Sequence, residues 1–208
     1  MAIGGNVHPA SLNKAYSQGL FPWNTHPEIP MWYSPDPRAV LSPGAFKCSK
    51  SLRSVIRKKR FELRHNSRFE QVLQHCADIK RKEQHGTWLH PELQRSLNQL
   101  QQMGNAHSIE VFQEGELVGG LYGLQIGKVF FGESMFSKVS DSSKVALYAL
   151  CRSLPNDALI DCQQRTEHLL SLGARTISRS EFLKTLGELT HQPMQLELAD
   201  IYSSKDQS

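Results

Sequence analysis

The sequence of 208 residues has no long apolar run and no signal peptide. No stretch approaches the roughly 20 consecutive apolar residues that cross a bilayer. Its start, Met-Ala-Ile-Gly-Gly-Asn, has neither the basic nor the apolar region of a secretory signal. We therefore expect a cytoplasmic protein that does not interact with membranes.

Several chemical signatures are also missing. The four cysteines form no CxxC pair, so we interpret them as thiols rather than as a disulfide framework or a zinc site. His85 and His90 are close in sequence, but no third ligand has suitable spacing, and we predict no metal. There is no phosphate-binding GxxxxGK[ST] loop, GxSxG elbow, GxGxxG fingerprint or HExxH motif. These absences count against nucleotide hydrolysis and triad hydrolysis.

Acidic residues are scarce in one segment, although the net charge of the whole chain is only +4. From Lys47 to Arg68 there are nine basic residues and one acidic residue, Glu62. Ser49 is a suitable N-cap for a helix that would bury its apolar side chains and expose its basic ones. Such a face can bind phosphates, or it can be solvated without a ligand. The candidate phosphate-binding residues are Lys47, Lys50, Arg53, Arg57, Lys58 and Arg60.

The first half of the chain is otherwise predicted to be helical, with one irregular segment. Prolines between Pro22 and Pro43 remove backbone donors and favour a loop with short extended pieces. Ser67 is predicted to cap a helix that buries Phe69 and Val72. Further helices are predicted for 9–18 and 91–103.

The second half has the pattern of a sheet followed by helices. Apolar runs at 108–112, 117–124 and 129–136 are separated by polar turns and predict an antiparallel meander. A helix is then predicted from Asp141 or Ser142, and a buried strand at 158–163. A helix ending at Gly173, a strand at 175–178 and a helix at 181–189 complete the prediction.

Two carboxylates interrupt apolar strands. Glu133 lies within Val129-Phe-Phe-Gly-Glu-Ser-Met-Phe136, and Asp161 lies within Ala158-Leu-Ile-Asp-Cys-Gln163. A buried carboxylate is costly unless it has partners, and its environment shifts its pKa. Either one alone could be structural, bonded to the backbone or to an arginine. Two on separate strands of what is predicted to be one sheet, each with a polar neighbour, favour a shared pocket that handles protons.

Seven segments in order along the chain resemble the leucyl/phenylalanyl-tRNA-protein transferase family. The most specific are Trp32-Tyr-Ser-Pro-Asp-Pro-Arg38, Gly132-Glu-Ser-Met-Phe-Ser137 and Ile160-Asp-Cys-Gln163. The remaining four are Gly19-Leu-Phe-Pro-Trp23, Gly86-Thr-Trp88, Ala106-His-Ser-Ile-Glu110 and Leu117-Val-Gly-Gly120. Together they cover nearly the whole chain.

The resemblance implies an α+β fold in which a small N-terminal α/β domain precedes a GNAT-like acyltransferase domain with a mostly antiparallel central sheet. We expect an N-terminal part of the small domain at 1–36, a basic helical region at 37–104 and the catalytic domain at 105–208. A monomer is expected.

The resemblance also implies the reaction and its residues. Leucine or phenylalanine, and also methionine, would pass from aminoacyl-tRNA to the N-terminal Arg or Lys of an acceptor protein, marking it for N-degron degradation without a cofactor. Asp161, supported by Gln163 and Glu133, would orient the acceptor amine and take its proton. Trp23 and Trp88 would hold the terminal adenosine. The amino-acid pocket would be bordered by Leu121, Phe130, Leu147, Leu150, Leu154 and Ile160.

Two other functions fit parts of the sequence. A GNAT-type acetyltransferase that uses acetyl-CoA would have the same C-terminal order of elements, but the expected [Q/R]xxGx[G/A] pyrophosphate loop is absent. A non-catalytic tRNA-binding protein would need only the basic segment Lys47 to Arg68.

Overall fold

The architecture comes from a computed structural model that describes residues 1–23, 29–79 and 89–203. The elements follow the chain in the order β1 (Ala2–Ile3), α1 (Pro9–Ser17), β2 (Phe21–Pro22), β3 (Met31–Tyr33), β4 (Arg38–Leu41), α2 (Lys50–Arg57), β5 (Glu62–His65), α3 (Phe69–Ala77), α4 (Pro91–Gln102), β6 (Ala106–Gln113), β7 (Glu116–Ile126), β8 (Val129–Ser137), α5 (Ser142–Ser153), β9 (Leu159–Gln163), α6 (Glu167–Ser171), β10 (Arg175–Ile177) and α7 (Arg179–Leu189). Within these ranges, no helix is long and apolar enough to cross a membrane.

The main sheet has the strand order β10-β4-β9-β8-β7-β6-β5. Its pairings are antiparallel apart from β8 with β9, which run parallel. The short strands β1, β2 and β3 form a separate antiparallel sheet near the N-terminus. The predicted α+β class with a mostly antiparallel central sheet is therefore confirmed.

The two faces of the main sheet are covered by different helices. Consecutive glycines on β7 show this, because a Cβ on Gly119 would meet Ser142 of α5 whereas one on Gly120 would meet Val72 of α3. One core contains apolar residues of α1, α3 and α4, and the other contains those of α2 and α5. Side chains that alternate along one strand thus enter two separate cores.

Most predicted elements are confirmed within one to three residues at their ends, including the meander, which forms β6, β7 and β8. The four cysteines are thiols, as predicted. The irregular segment contains β4, and the basic segment contains β5, a strand that the sequence analysis missed. Both strands join the main sheet, and the predicted domain boundaries stay a prediction.

The prediction that Ser67 caps α3 was wrong, because another residue binds the start of this helix. The N-cap is Arg68, which makes no side-chain capping bond. Instead, the backbone N–H groups of Ser67 and Arg68 each donate to the carboxylate of Glu110 at 3.3 Å, and the Ser67 hydroxyl donates at 3.1 Å. Glu110 is fully buried on β6, so it fixes α3 to the sheet.

We expect Glu110→Ala to lower the free energy of unfolding by about 2 kcal/mol, because the N–H groups at the start of α3 would lose their buried acceptor. Glu110→Gln keeps an acceptor oxygen and serves as the matched control, with a loss of about half that size. Urea unfolding of the three proteins measures this. An Ala variant as stable as the Gln variant would contradict the capping role.

Candidate active site

A cavity of about 400 Å³ opens where the parallel strands β8 and β9 separate. The two strands pair from Val129 with Leu159 as far as Phe131 with Asp161. Past that point side chains of both strands face the cavity, among them Glu133, Ser134 and Gln163. The cavity is thus a direct consequence of strand divergence within the sheet.

Bulges place the polar residues at this opening. Tyr122 pairs with Ser134 and Gly123 with Gly132, so Glu133 is an extra residue on β8. A second irregularity lies between β4 and β9, where Cys162 is the extra residue. A bulge turns side chains out of the regular alternation. Glu133 is therefore directed into the opening rather than into the apolar core.

Glu133 is held by two hydrogen bonds. The side-chain amide of Gln163 donates to Glu133 Oε1 at 2.7 Å, and the Tyr16 hydroxyl bonds to the same carboxyl. Burial raises the pKa of Glu133 to about 8, and the negative charge of Asp161 adds to the rise while both hydrogen bonds oppose it. A carboxyl that titrates close to neutral pH is suited to accept and return a proton.

Asp161 lies behind the cavity and does not line it. Its side chain is fully buried and forms two bonds with Arg38, 2.8 Å from Nε and 2.6 Å from Nη2. Asp161 Oδ1 also accepts the backbone N–H of Gln163 at 2.9 Å. Gln163 has a positive φ of 62°, which is uncommon for this residue type. Asp161 thus fixes the backbone that presents Gln163.

Arg38 is a site residue that the sequence analysis did not select. Its guanidinium is fully buried between the rings of Phe21 and Phe182, at 4.8 and 4.5 Å from their centroids. It also donates to the carbonyl of Gly19 at 3.2 Å. Arg38 therefore ties β4 and β9 to the N-terminal part and to α7. Its position at the end of the Ser-Pro-Asp-Pro-Arg segment was the feature of the sequence that could have identified Arg38 as a site residue.

The predicted apolar wall is largely assembled. Five of the six predicted residues line the cavity, namely Leu121, Phe130, Leu147, Leu150 and Ile160. Leu154 does not; it is buried in the adjoining core at the end of α5. The sequence analysis missed Met135 of β8 and Leu169 of α6, which also line the cavity. Their strand and helix patterns indicated burial but not which cavity they face.

Of the two tryptophans predicted to hold the terminal adenosine, the structure describes one. Trp23 lines the cavity mouth and packs edge-on against Tyr33, with ring centroids 6.0 Å apart. Trp88 lies outside the described residues.

The basic face forms as predicted around α2. Ser49 caps this helix by accepting the Leu52 N–H at 3.1 Å, and Leu52 and Ile56 are buried. The predicted phosphate-binding side chains are all exposed: Lys47, Lys50, Arg53, Arg57, Lys58 and Arg60.

Comparisons with known proteins give a consistent result. Residues 40–187 match the family described as leucyl/phenylalanyl-tRNA protein transferase, and residues 5–36 match the N-terminal domain of the same family. A leucyl/phenylalanyl-tRNA--protein transferase of Nitrosomonas eutropha is 51% identical over 94% of this chain and 84% of its own length. The relative of the same name in Nitrosomonas europaea is 50% identical over 94% and 83%.

Two of the solved structures that resemble this chain have low sequence identity to it. A conserved protein of unknown function from Bacteroides thetaiotaomicron has a TM-score of 0.47 and 11% identity, over 77% of this chain and 57% of its own. A GCN5-related N-acetyltransferase from Kribbella flavida has a TM-score of 0.40 and 10% identity, over 69% and 55%.

Proposed function

The chain belongs to the leucyl/phenylalanyl-tRNA protein transferase family, enzymes of aminoacyl transfer from tRNA to proteins, and we propose that its donors are leucyl-tRNA and phenylalanyl-tRNA. We propose further that methionyl-tRNA is accepted and that the acceptor is a protein beginning with Arg or Lys. The product would be marked for degradation as an N-degron. A monomer acting in the cytoplasm is part of the same proposal.

The observation that carries this proposal is an apolar cavity with one hydrogen-bonded carboxyl at its polar end. Aliphatic and aromatic side chains border the space, the five predicted ones among them, and Glu133 with Gln163 faces it. The volume of about 400 Å³ holds a leucyl or phenylalanyl side chain together with its ester. Aliphatic walls suit a side chain that is unbranched at Cβ, and the Gln163 amide and the Glu133 carboxyl supply polar groups for the reaction.

The reaction needs one nucleophile and one proton carrier. The acceptor's α-amine attacks the ester carbonyl, a C–N bond forms, and the bond to the ribose oxygen breaks. We assign to Glu133 the acceptance of the amine proton, which then passes to the departing ribose oxygen. Gln163 orients the amine. Asp161 acts as a positioning residue, through the Gln163 backbone and Arg38. The ester is already activated, so no covalent enzyme intermediate is required.

The tRNA would be bound at two places. Trp23, at the cavity mouth, and Trp88 would hold the terminal adenosine by stacking. The exposed cations of α2 and its flanks would contact phosphates farther along the tRNA. Family membership decides against the two alternatives, acetyl transfer from acetyl-CoA and tRNA binding without catalysis.

The test uses radiolabelled leucyl-tRNA and two peptides that differ only in their first residue, Arg or Glu. We expect label in the Arg peptide alone, and the same result with phenylalanyl-tRNA. Equal labelling of both peptides would overturn the acceptor assignment. Tight tRNA binding with no transfer to either peptide would overturn the proposed substrates as a whole.

The cavity wall yields a prediction about donor choice. Leu150→Phe adds bulk to the cavity, so we expect kcat/KM for phenylalanyl-tRNA to fall about tenfold relative to leucyl-tRNA. Leu154→Met is the matched control because Leu154 is buried directly after the same helix, as its C-cap, but does not line the cavity. An unchanged ratio in the Leu150 variant would show that the side chain of the donor lies elsewhere.

A further inference from the structure

A second cavity lies at the end of the main sheet where β6 turns into β7. It measures about 290 Å³ and is bordered by α3, β5 and the end of β8. We call it the basic cavity and define it by five polar residues, Arg64, Arg68, Gln71, His75 and Lys138. Arg64 and Arg68 belong to the predicted basic segment but not to the six candidate phosphate-binding residues, Gln71, His75 and Lys138 were not predicted to have a role, and α2 is not part of the lining.

The cationic groups of the basic cavity are partly fixed in place. Arg64 Nε donates to Glu62 at 2.7 Å, and the guanidinium lies 4.2 Å from the centroid of the Phe112 ring. This arrangement leaves the two terminal nitrogens of the fork for a ligand. Fixing the guanidinium before a ligand arrives lowers the entropy cost of binding.

Lys138 is paired with a neutral histidine rather than with an acid. Its ammonium lies 2.9 Å from His75 Nε2, which must accept and is therefore unprotonated. Burial and the Lys138 charge both lower the pKa of His75. The His75 ring packs on Phe136 with centroids 4.8 Å apart. The contact with His75 uses one of the three N–H donors of Lys138 and leaves two for a ligand.

The charge of the lining is unbalanced. Three cations, Arg64, Arg68 and Lys138, border the cavity, against two carboxylates, Glu116 in the lining and Glu62, which binds Arg64. Mutual repulsion of the cations favours an anionic occupant. Two guanidinium forks and an ammonium match the several oxygens of a phosphate group.

The position of the basic cavity suits a nucleic acid that enters the active site. Along β8, Lys138 is four residues from Ser134 at the active-site cavity, or about 13 Å at the usual rise of a strand. Trp23 and the Phe112 wall of the basic cavity both belong to the core on the α1, α3 and α4 face of the sheet. A few nucleotides span this separation.

We propose that the basic cavity binds a phosphodiester group of the donor tRNA, a few nucleotides from the aminoacylated end, as a contact separate from α2. The inference rests on the proposed function and adds to it a second electrostatic contact between the protein and the tRNA. Free phosphate and mononucleotides also carry a phosphate group, so the test must distinguish their binding from that of the tRNA.

The test compares Arg68→Gln, Lys138→Gln and the double variant with the wild type. Both side chains are exposed, so the variants should fold and unfold at the wild-type temperature. We expect the KM for leucyl-tRNA to rise about tenfold in the double variant, with kcat unchanged. The slope of log KM against log salt concentration should fall by about 1 for each phosphate-binding cation that a variant removes. Lys184→Gln on α7, also exposed, is the control and should change neither quantity.

A second donor identifies the source of the phosphate. The leucyl ester of adenosine has no phosphodiester, so its KM and kcat should be the same in all variants. A wild-type KM and salt slope for leucyl-tRNA in the double variant would overturn the inference while leaving the proposed function intact. An equal rise in KM for the adenosine ester would also overturn it. If the wild type transferred nothing, the proposed function would fail, and the dissociation constant for tRNA would still decide whether the cavity binds it.

Discussion

Arg38→Met is expected to lower the free energy of unfolding by about 3–5 kcal/mol and to abolish aminoacyl transfer. The substitution leaves Asp161 as a buried, uncompensated carboxylate, because both of its oxygens bind the Arg38 guanidinium. It also removes the cation between the rings of Phe21 and Phe182. Gln163, whose backbone N–H is held by Asp161, would no longer be fixed in its position.

Urea unfolding and single-turnover transfer measure the two effects separately. Arg38→Met combined with Asp161→Leu removes both charges, so it should recover most of the stability without recovering transfer. Arg179→Met is the surface control, since Arg179 and Asp36 are 3.9 Å apart and about half exposed. If Arg38→Met were as stable as this control, the buried pair would not have the role assigned to it.

A second large effect is expected in the pH dependence of transfer. The pKa of Glu133 is raised from 4.5 to about 8, so the carboxyl is protonated in most molecules at pH 7. If the ionised form takes the amine proton, kcat/KM rises with pH up to about 8 and then levels. The acceptor α-amine, with an ordinary pKa of about 7.7–8.0, must also be deprotonated. Below pH 7 the logarithm of kcat/KM should therefore rise with a slope approaching 2.

Glu133→Gln should remove one of these two ionisations and lower the plateau about 100-fold. The remaining slope of 1 would belong to the acceptor amine. The free energy of unfolding should fall as the pH rises, whereas kcat/KM rises. The reason is that the folded state favours the protonated form of the Glu133 carboxyl. The wild type loses this contribution as the pH rises from 4.5 through about 8, and the Gln variant does not. A slope of 2 retained in Glu133→Gln would exclude Glu133 as the group that titrates.

Helices and the meander were predictable because each has a local pattern. The helix α2 follows from the Ser49 cap and the spacing of Leu52 and Ile56, and the structure has both features. The strand β5 was missed because Glu62–His65 is mostly polar and at most partly buried, so its apolar alternation is weak. The cap on α3 was also not local, since Glu110 is more than forty residues away along the chain.

The site was predictable as a set of residues but not as an arrangement. Apolar strands interrupted by Glu133 and Asp161 indicated two carboxylates in one pocket. Which of them faces the cavity depends on the bulge at Glu133 and on where the β8–β9 pairing ends, and both are properties of register between distant strands. The Arg38 partner of Asp161 is 123 positions away, so no local pattern could assign it.

The most direct test of the role of Glu133 in transfer is the rate of peptide-bond formation in a single turnover, with leucyl-tRNA prebound to enzyme and an Arg peptide added at pH 8. Wild type, Glu133→Gln and the exposed control Lys184→Gln would be compared at equal occupancy by tRNA. We expect a rate about 100-fold lower in Glu133→Gln, unchanged tRNA affinity and a normal control. Equal rates in all three proteins would contradict it, because the carboxyl in the strand opening would then have no part in the transfer.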